Sequence, residues 1–109
     1  MGLIELSDTV FEKEVLQAPE LVVVDFWATW CVPCRQLPAI LEELGKQYQG
    51  RVKVCKFNMD DGGESAARYG VKTVPTVILF KGGRAVKAVV GVQTRETYAR
   101  LVDEHLAAA

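Results

Sequence analysis

Cysteine and histidine are scarce in this chain, with three cysteines and one histidine in 109 residues. Three is too few, and odd, for the disulfide-stapled scaffold of a small secreted domain. Only Cys55 and His105 stand apart from a single Cys-x-x-Cys pair, and they fall in different segments, so a four-ligand zinc site is poorly supplied. No apolar stretch approaches the length of a membrane span. Neither sign of charge dominates: the formal net charge is −1, which offers no basic field to nucleic acid and no polybasic signal to a membrane surface. There is no repeat, low-complexity stretch or linker. Met1–Glu5 lacks the basic and apolar regions of a secretory signal, so the expectation is a cytoplasmic protein or one from which a signal has been removed.

What remains is the composition of an ordinary globular protein, 50% apolar and 25% charged. The length fits one domain over residues 1–109. Ser7 or Asp8 is placed to cap a first helix to about Leu16, with Val10, Phe11, Val15 and Leu16 inward. Leu21–Trp27 is a continuous Val-rich run, the pattern of a strand covered on both faces. After a cysteine-bearing turn, Leu37, Ile40, Leu41, Leu44 and Tyr48 recur at helical spacing, and Gly50 closes that helix. Arg51–Met59 reads as a strand and Asp60–Gly63 as a turn. Glu64–Tyr69 reads as a short helix capped by Gly70. Thr76–Phe80 and Ala85–Val90 form a hairpin around Lys81–Arg84. Thr94 to about Leu106 is a last helix, with Tyr98, Leu101, Val102 and Leu106 inward, and Ala107–Ala109 should fray. The strand–helix–strand unit implies a parallel pair with a right-handed crossover, to which the hairpin adds antiparallel strands. The fold class is α/β, a mixed central sheet with helices on both faces.

The segment that carries chemistry is Trp30-Cys31-Val32-Pro33-Cys34, where the apolar strand hands over to a helix. It matches the thioredoxin family, as do Val24–Thr29, Lys56–Asp60, Tyr69–Thr76 and Leu79–Gly83, in order along almost the whole chain. The chain closely resembles that family. The likeness implies the thioredoxin fold and reduction of protein disulfides. It also implies recycling by a flavin- and NADPH-dependent thioredoxin reductase, with no cofactor bound by the chain itself. The family usually has Gly where this chain has Val32. Its helix proline usually follows the second cysteine by five residues, whereas Pro38 follows Cys34 by four.

Cys31 is the candidate nucleophile, because it opens a helix whose free N–H groups and dipole favour a thiolate. Pro33 suits the first helical turn, where a missing N–H costs little. Cys34, one turn on, is within bridging reach and is expected to be the more buried, resolving thiol. Asp25 is the only charge inside the apolar strand. Burial would raise its pKa and fit it to accept the proton of Cys34. Lys56, on the neighbouring strand, is a candidate modulator of Asp25. The resemblance implies a cis Val74–Pro75 bond against the redox pair, with the Val74 backbone open to strand addition by substrate. Trp30, Val32, Pro33, Val74, Pro75, Gly91 and Val92 are the candidate substrate-binding surface. Pro38 removes the N–H that would bond to the Cys34 carbonyl, which predicts a kink there. Cys55, Trp27, Phe26 and Phe57 are read as packing, and Asp60-Asp61 as a solvated turn.

Four other readings compete with a reductant. The pair can be half of a zinc site or a structural disulfide. The chain can be a thiol oxidant or isomerase, the residues between the cysteines setting the direction. It can also be a binding module docking a partner through Trp30 and Pro75, but such a module needs neither cysteine nor Asp25. The expected partners are a reductase and disulfide-bearing proteins, not nucleic acid or membranes, with the chain acting as a monomer.

Overall fold

The computed structural model describes residues 2–60 and 62–108. The Val-rich run becomes β2 (Leu21–Trp27), the central strand of a five-stranded sheet that also contains β1 (Ile4–Leu6), β3 (Val52–Asn58), β4 (Thr76–Lys81) and β5 (Arg84–Val90). The spatial order is β1-β3-β2-β4-β5. β1 and β2 run parallel to β3, β4 is antiparallel to β2, and β5 is antiparallel to β4. All of β2 except Trp27 is buried, as a run that is apolar but for Asp25 requires of a strand covered on both sides.

Side chains alternate across β2 and sort the core into two layers. Val22, Val24 and Phe26 face Phe11, Val15, Cys55, Phe57 and Phe80. This layer lies under α1 (Asp8–Phe11), its continuation Glu12–Leu16, and α3 (Glu64–Arg68). Leu21 and Val23 face the other way, toward Leu37, Leu41 and Leu44 of α2 (Leu37–Gln47) and Tyr98 and Val102 of α4 (Arg95–Ala107). Tyr48 ties the two helices of this layer, its hydroxyl donating to Asp103 at 2.6 Å and to the Ala99 carbonyl at 3.2 Å. Asp25, two residues beyond Val23, projects into this second layer.

The mixed sheet with helices on both faces agrees with the sequence reading, and several details correct it. β1 is an additional strand, only three residues long and pairing on β3 alone. Val10 is 37% exposed rather than inward, because Phe11 and Val15, four residues apart, form the buried stripe and Val10 lies off it. Neither Ser7 nor Asp8 caps its own helix: Ser7, at the N-cap position, makes no side-chain cap bond. The Asp8 carboxylate instead accepts from the N–H groups of Glu64 (3.1 Å) and Ser65 (2.9 Å), capping α3 from a distance. α4 runs through Ala107, one residue past its expected end. Asp61 in the expected turn, and Ala109 in the expected frayed end, lie outside the described residues.

Candidate active site

β2 ends at Trp27, and the chain turns through Ala28–Val32 before a 3-10 segment, Pro33–Gln36, leads into α2. Cys31 and Cys34 are joined in a disulfide across this turn, with Cα atoms 5.4 Å apart. The Cys34 N–H donates to Cys31 Sγ at 3.2 Å. A free N–H of the first helical turn aimed at a sulfur is the arrangement that favours a thiolate once the bond is reduced. The expected difference in burial is not there: Cys31 is 4% and Cys34 3% exposed. Both pack with Ala28, Trp27 and Val74 in a small apolar cluster of their own.

Pro38 shapes this segment differently from a simple kink. With no N–H at Pro38 to reach it, the Cys34 carbonyl is taken by Leu37 N–H, three residues on. The helix therefore begins as 3-10 and becomes α only at Leu37.

The loop before Cys31 is held by a residue the sequence reading left in solvent. Thr29 donates its N–H and its hydroxyl to the two carboxylate oxygens of Asp60, at 3.0 and 2.6 Å. Those bonds hold the Asp60 carboxyl below the usual range. The latch crosses 31 residues of chain, so no local spacing announces it.

Asp25 is 1% exposed, and its Oδ1 has no hydrogen-bond partner among the described residues. Burial pushes its pKa up to about 7, against the opposing pull of the Lys56 ammonium. The two are register partners on β2 and β3. Asp25, Cys34 and Lys56 share a cavity of about 330 Å³ with Trp27, Ala28, Thr29, Arg35 and Pro38. That volume holds several waters, so a proton can pass between the carboxyl and the Cys34 sulfur without direct contact. Trp27 packs as read, and the place where it packs is the site itself. It walls both cavity and cysteine cluster, and the Lys56 Nζ sits 5.9 Å from its ring centroid.

The Val74–Pro75 bond is cis, as the resemblance implies. Val74 lies against the cysteines, and its backbone forms no backbone hydrogen bond among the described residues. Gly91, at φ +86°, donates its N–H to the Pro75 carbonyl at 2.9 Å and brings its segment beside the cis bond. The candidate binding surface divides. Trp30 and Val32 are 74% and 65% exposed, whereas Val92 is half-buried and packs onto the α2/α4 layer. Pro33 is exposed and Pro75 buried. Cys55 is fully buried, and burial pushes its thiol up to about 12, which keeps it out of the chemistry. Among the described residues, no group of three or more His, Cys, Asp or Glu is placed to hold a metal ion.

The exposure of Val32 beside a buried Cys31 gives a first prediction. Val32→Gly should accelerate exchange with folded-protein disulfides several-fold more than with a small disulfide such as oxidised glutathione. A β-branched side chain there crowds only a bulky approach. Stopped-flow rates with the two classes check this, and equal acceleration would refute crowding.

A disulfide at the N-terminal turn of a helix, a buried carboxyl behind it and a cis-proline loop beside it define a thiol–disulfide oxidoreductase. The comparisons with known proteins narrow the class. A profile of the thioredoxin family matches residues 2–104. The chain is 40% identical to thioredoxin 1 of Nostoc sp. over 94% of its length and 95% of the relative's. It is 42% identical to thioredoxin 1 of Synechococcus elongatus over 93% and 94% of the two chains. It is 41% identical to thioredoxin of Staphylococcus aureus over 97% and 100%. The chain belongs to the thioredoxin family. It is a protein-disulfide oxidoreductase, reducing disulfides by exchange at the Cys31–Cys34 pair. Such proteins need no bound cofactor and work with disulfide substrates and a reductase. No helix among the described residues is long and apolar enough to cross a membrane.

Proposed function

We propose that this protein is a general reductant of protein disulfides in the cytoplasm, working as a monomer whose residues 1–109 form one domain. Cys31 attacks as the thiolate. A new S–S bond joins it to one target sulfur, and the other target sulfur leaves as a thiolate. Cys34 then gives its proton to Asp25, directly or through water, and attacks Cys31 Sγ. That closes the Cys31–Cys34 bond and releases the second target thiol, so two electrons pass to the target. Lys56 tunes the charge of Asp25 during this step. The open Val74 backbone pairs with an extended target segment, while Trp30, Val32 and Pro33 cover its apolar side chains. Gly91 and Val92 border that surface. A flavin- and NADPH-dependent thioredoxin reductase restores the dithiol.

The observation that carries this reading is the pairing of two features: the Cys34 N–H aimed at Cys31 Sγ, and an unpartnered Asp25 in the cavity it shares with Cys34. The test is reduction of insulin disulfides with dithiothreitol as donor, together with equilibration against glutathione. The protein is expected to accelerate insulin reduction well above dithiothreitol alone and to stay oxidised only in strongly oxidising buffers. A potential near the strong-oxidant end, about −120 mV, would overturn the reductant reading in favour of an oxidant. A pair that does not titrate would favour the binding module.

A further inference from the structure

The sheet register places three charged residues in one transverse row. Glu5 of β1 lies beside Lys56 of β3, and Lys56 beside Asp25 of β2. Residues aligned across adjacent strands emerge on the same face, here that of α2 and α4. Within the row Lys56 is drawn outward. Its Nζ is 3.6 Å from Glu5 Oε1, and it forms no ion pair with Asp25 among the described residues. Asp25 Oδ1 is correspondingly left without a partner there. One ammonium thus stands between two carboxylates and is engaged by the exposed one.

Few other charged or titratable groups face Asp25. Arg35, on the 3-10 segment, lines the same cavity, as does Cys34. Tyr98 of α4 lies in the same layer, its phenol pushed up chiefly by burial and to a lesser degree by the Asp25 charge, its hydroxyl bonded to Gln93 N–H and the Gly91 carbonyl. Val77, opposite Asp25 on β4, carries no charge. Among all of these, the ammonium of Lys56 is the charge that opposes the effect of burial on Asp25.

We infer that Glu5 is a positioning residue of the redox site, holding the Lys56 ammonium on the outer side of the row so that the buried Asp25 carboxyl stays free to carry the proton of Cys34. The inference rests on the proton-accepting role proposed for Asp25, and it adds the N-terminal strand to the machinery. Glu5 touches neither sulfur nor substrate and acts only through Lys56.

The experiment is a carbon-13 NMR titration of the Asp25 carboxyl in the oxidised full chain. In Glu5→Gln the freed ammonium turns toward Asp25, and the titration midpoint should fall by about half a pH unit, the scale of a weak surface pair. In a Lys56→Met background the same Glu5→Gln change should leave the midpoint unmoved. An equal fall in both backgrounds would show a direct field effect and overturn the positioning role. An unmoved midpoint in the Lys56-containing protein would reduce Glu5 to a plain surface charge and overturn it equally. The pH profile of insulin reduction separates this inference from the reading beneath it. If the midpoint moves as expected and the profile does not follow, the Asp25 role fails while the Glu5–Lys56 device stands.

Discussion

Cys31→Ser is expected to bring reduction of insulin disulfides down to the background of dithiothreitol alone. Serine offers a hydroxyl whose ionisation lies far above the pH range in which a thiolate forms, and it cannot close an S–S bond with Cys34. Cys34→Ser should behave differently. It keeps the attacking sulfur, so it should capture one target chain as a stable mixed disulfide and stop there. This contrast decides the order of attack, which burial does not, since both cysteines are almost equally enclosed. The asymmetry lies elsewhere: Cys31 Sγ receives the Cys34 N–H, and Cys31 is flanked in sequence by the exposed Trp30 and Val32. Non-reducing electrophoresis after incubation of each pre-reduced variant with intact, disulfide-bonded insulin checks the outcome. Trapping by Cys31→Ser in place of Cys34→Ser would reverse the two roles.

The parts of this molecule that could be read in the chain are those set by short-range pattern. β2 announces itself because six consecutive residues, Leu21–Phe26, are buried with both faces covered, and the redox turn because two cysteines three apart follow it. α2 and α4 are legible as helical stripes of Leu, Tyr and Val. What escaped is set by contacts between distant segments. β1 has too few residues to show a period and exists because β3 offers it an edge. Asp60 looks like any turn aspartate until the fold brings Thr29 to it. Asp8 looks like a cap for its own helix, yet its carboxylate is closer to the free N–H groups of α3. Pro38 was legible as a helix disturbance, but the form it takes depends on which N–H claims the Cys34 carbonyl. The resemblance, not the pattern, supplied the cis bond at Pro75.

Asp25 shows what the redox site costs the fold. Its pKa is about 3.8 as an ordinary carboxyl and about 7 in the folded chain, where burial disfavours the charged form. The sign follows from linkage. Below pH 3.8 the group is protonated in both states and costs nothing; as pH rises toward 7 only the unfolded chain ionises freely, so stability is lost across that window. Above it the loss is complete, and at 1.36 kcal/mol per unit it reaches at most about 4 kcal/mol. Asp25→Asn removes the ionisation while keeping the shape. The oxidised variant should therefore be more stable than the parent by about 2–4 kcal/mol at pH 8, the amide's own unmet hydrogen bonds taking part of the gain. At pH 4 that gain should be absent, the variant being equal to the parent or slightly less stable by the amide's unmet hydrogen bonds. Guanidinium unfolding of the oxidised proteins at both pH values measures this. A gain of the same size at pH 4 and pH 8 would show that packing, not a buried charge, separates them. The stabilised variant should at the same time reduce insulin more slowly near neutral pH, because the role proposed for Asp25 as acceptor of the Cys34 proton is lost. A carboxyl retained at several kcal/mol of cost in the centre of a sheet, with its Oδ1 unpartnered among the described residues, is what the proton transfer proposed for it would require.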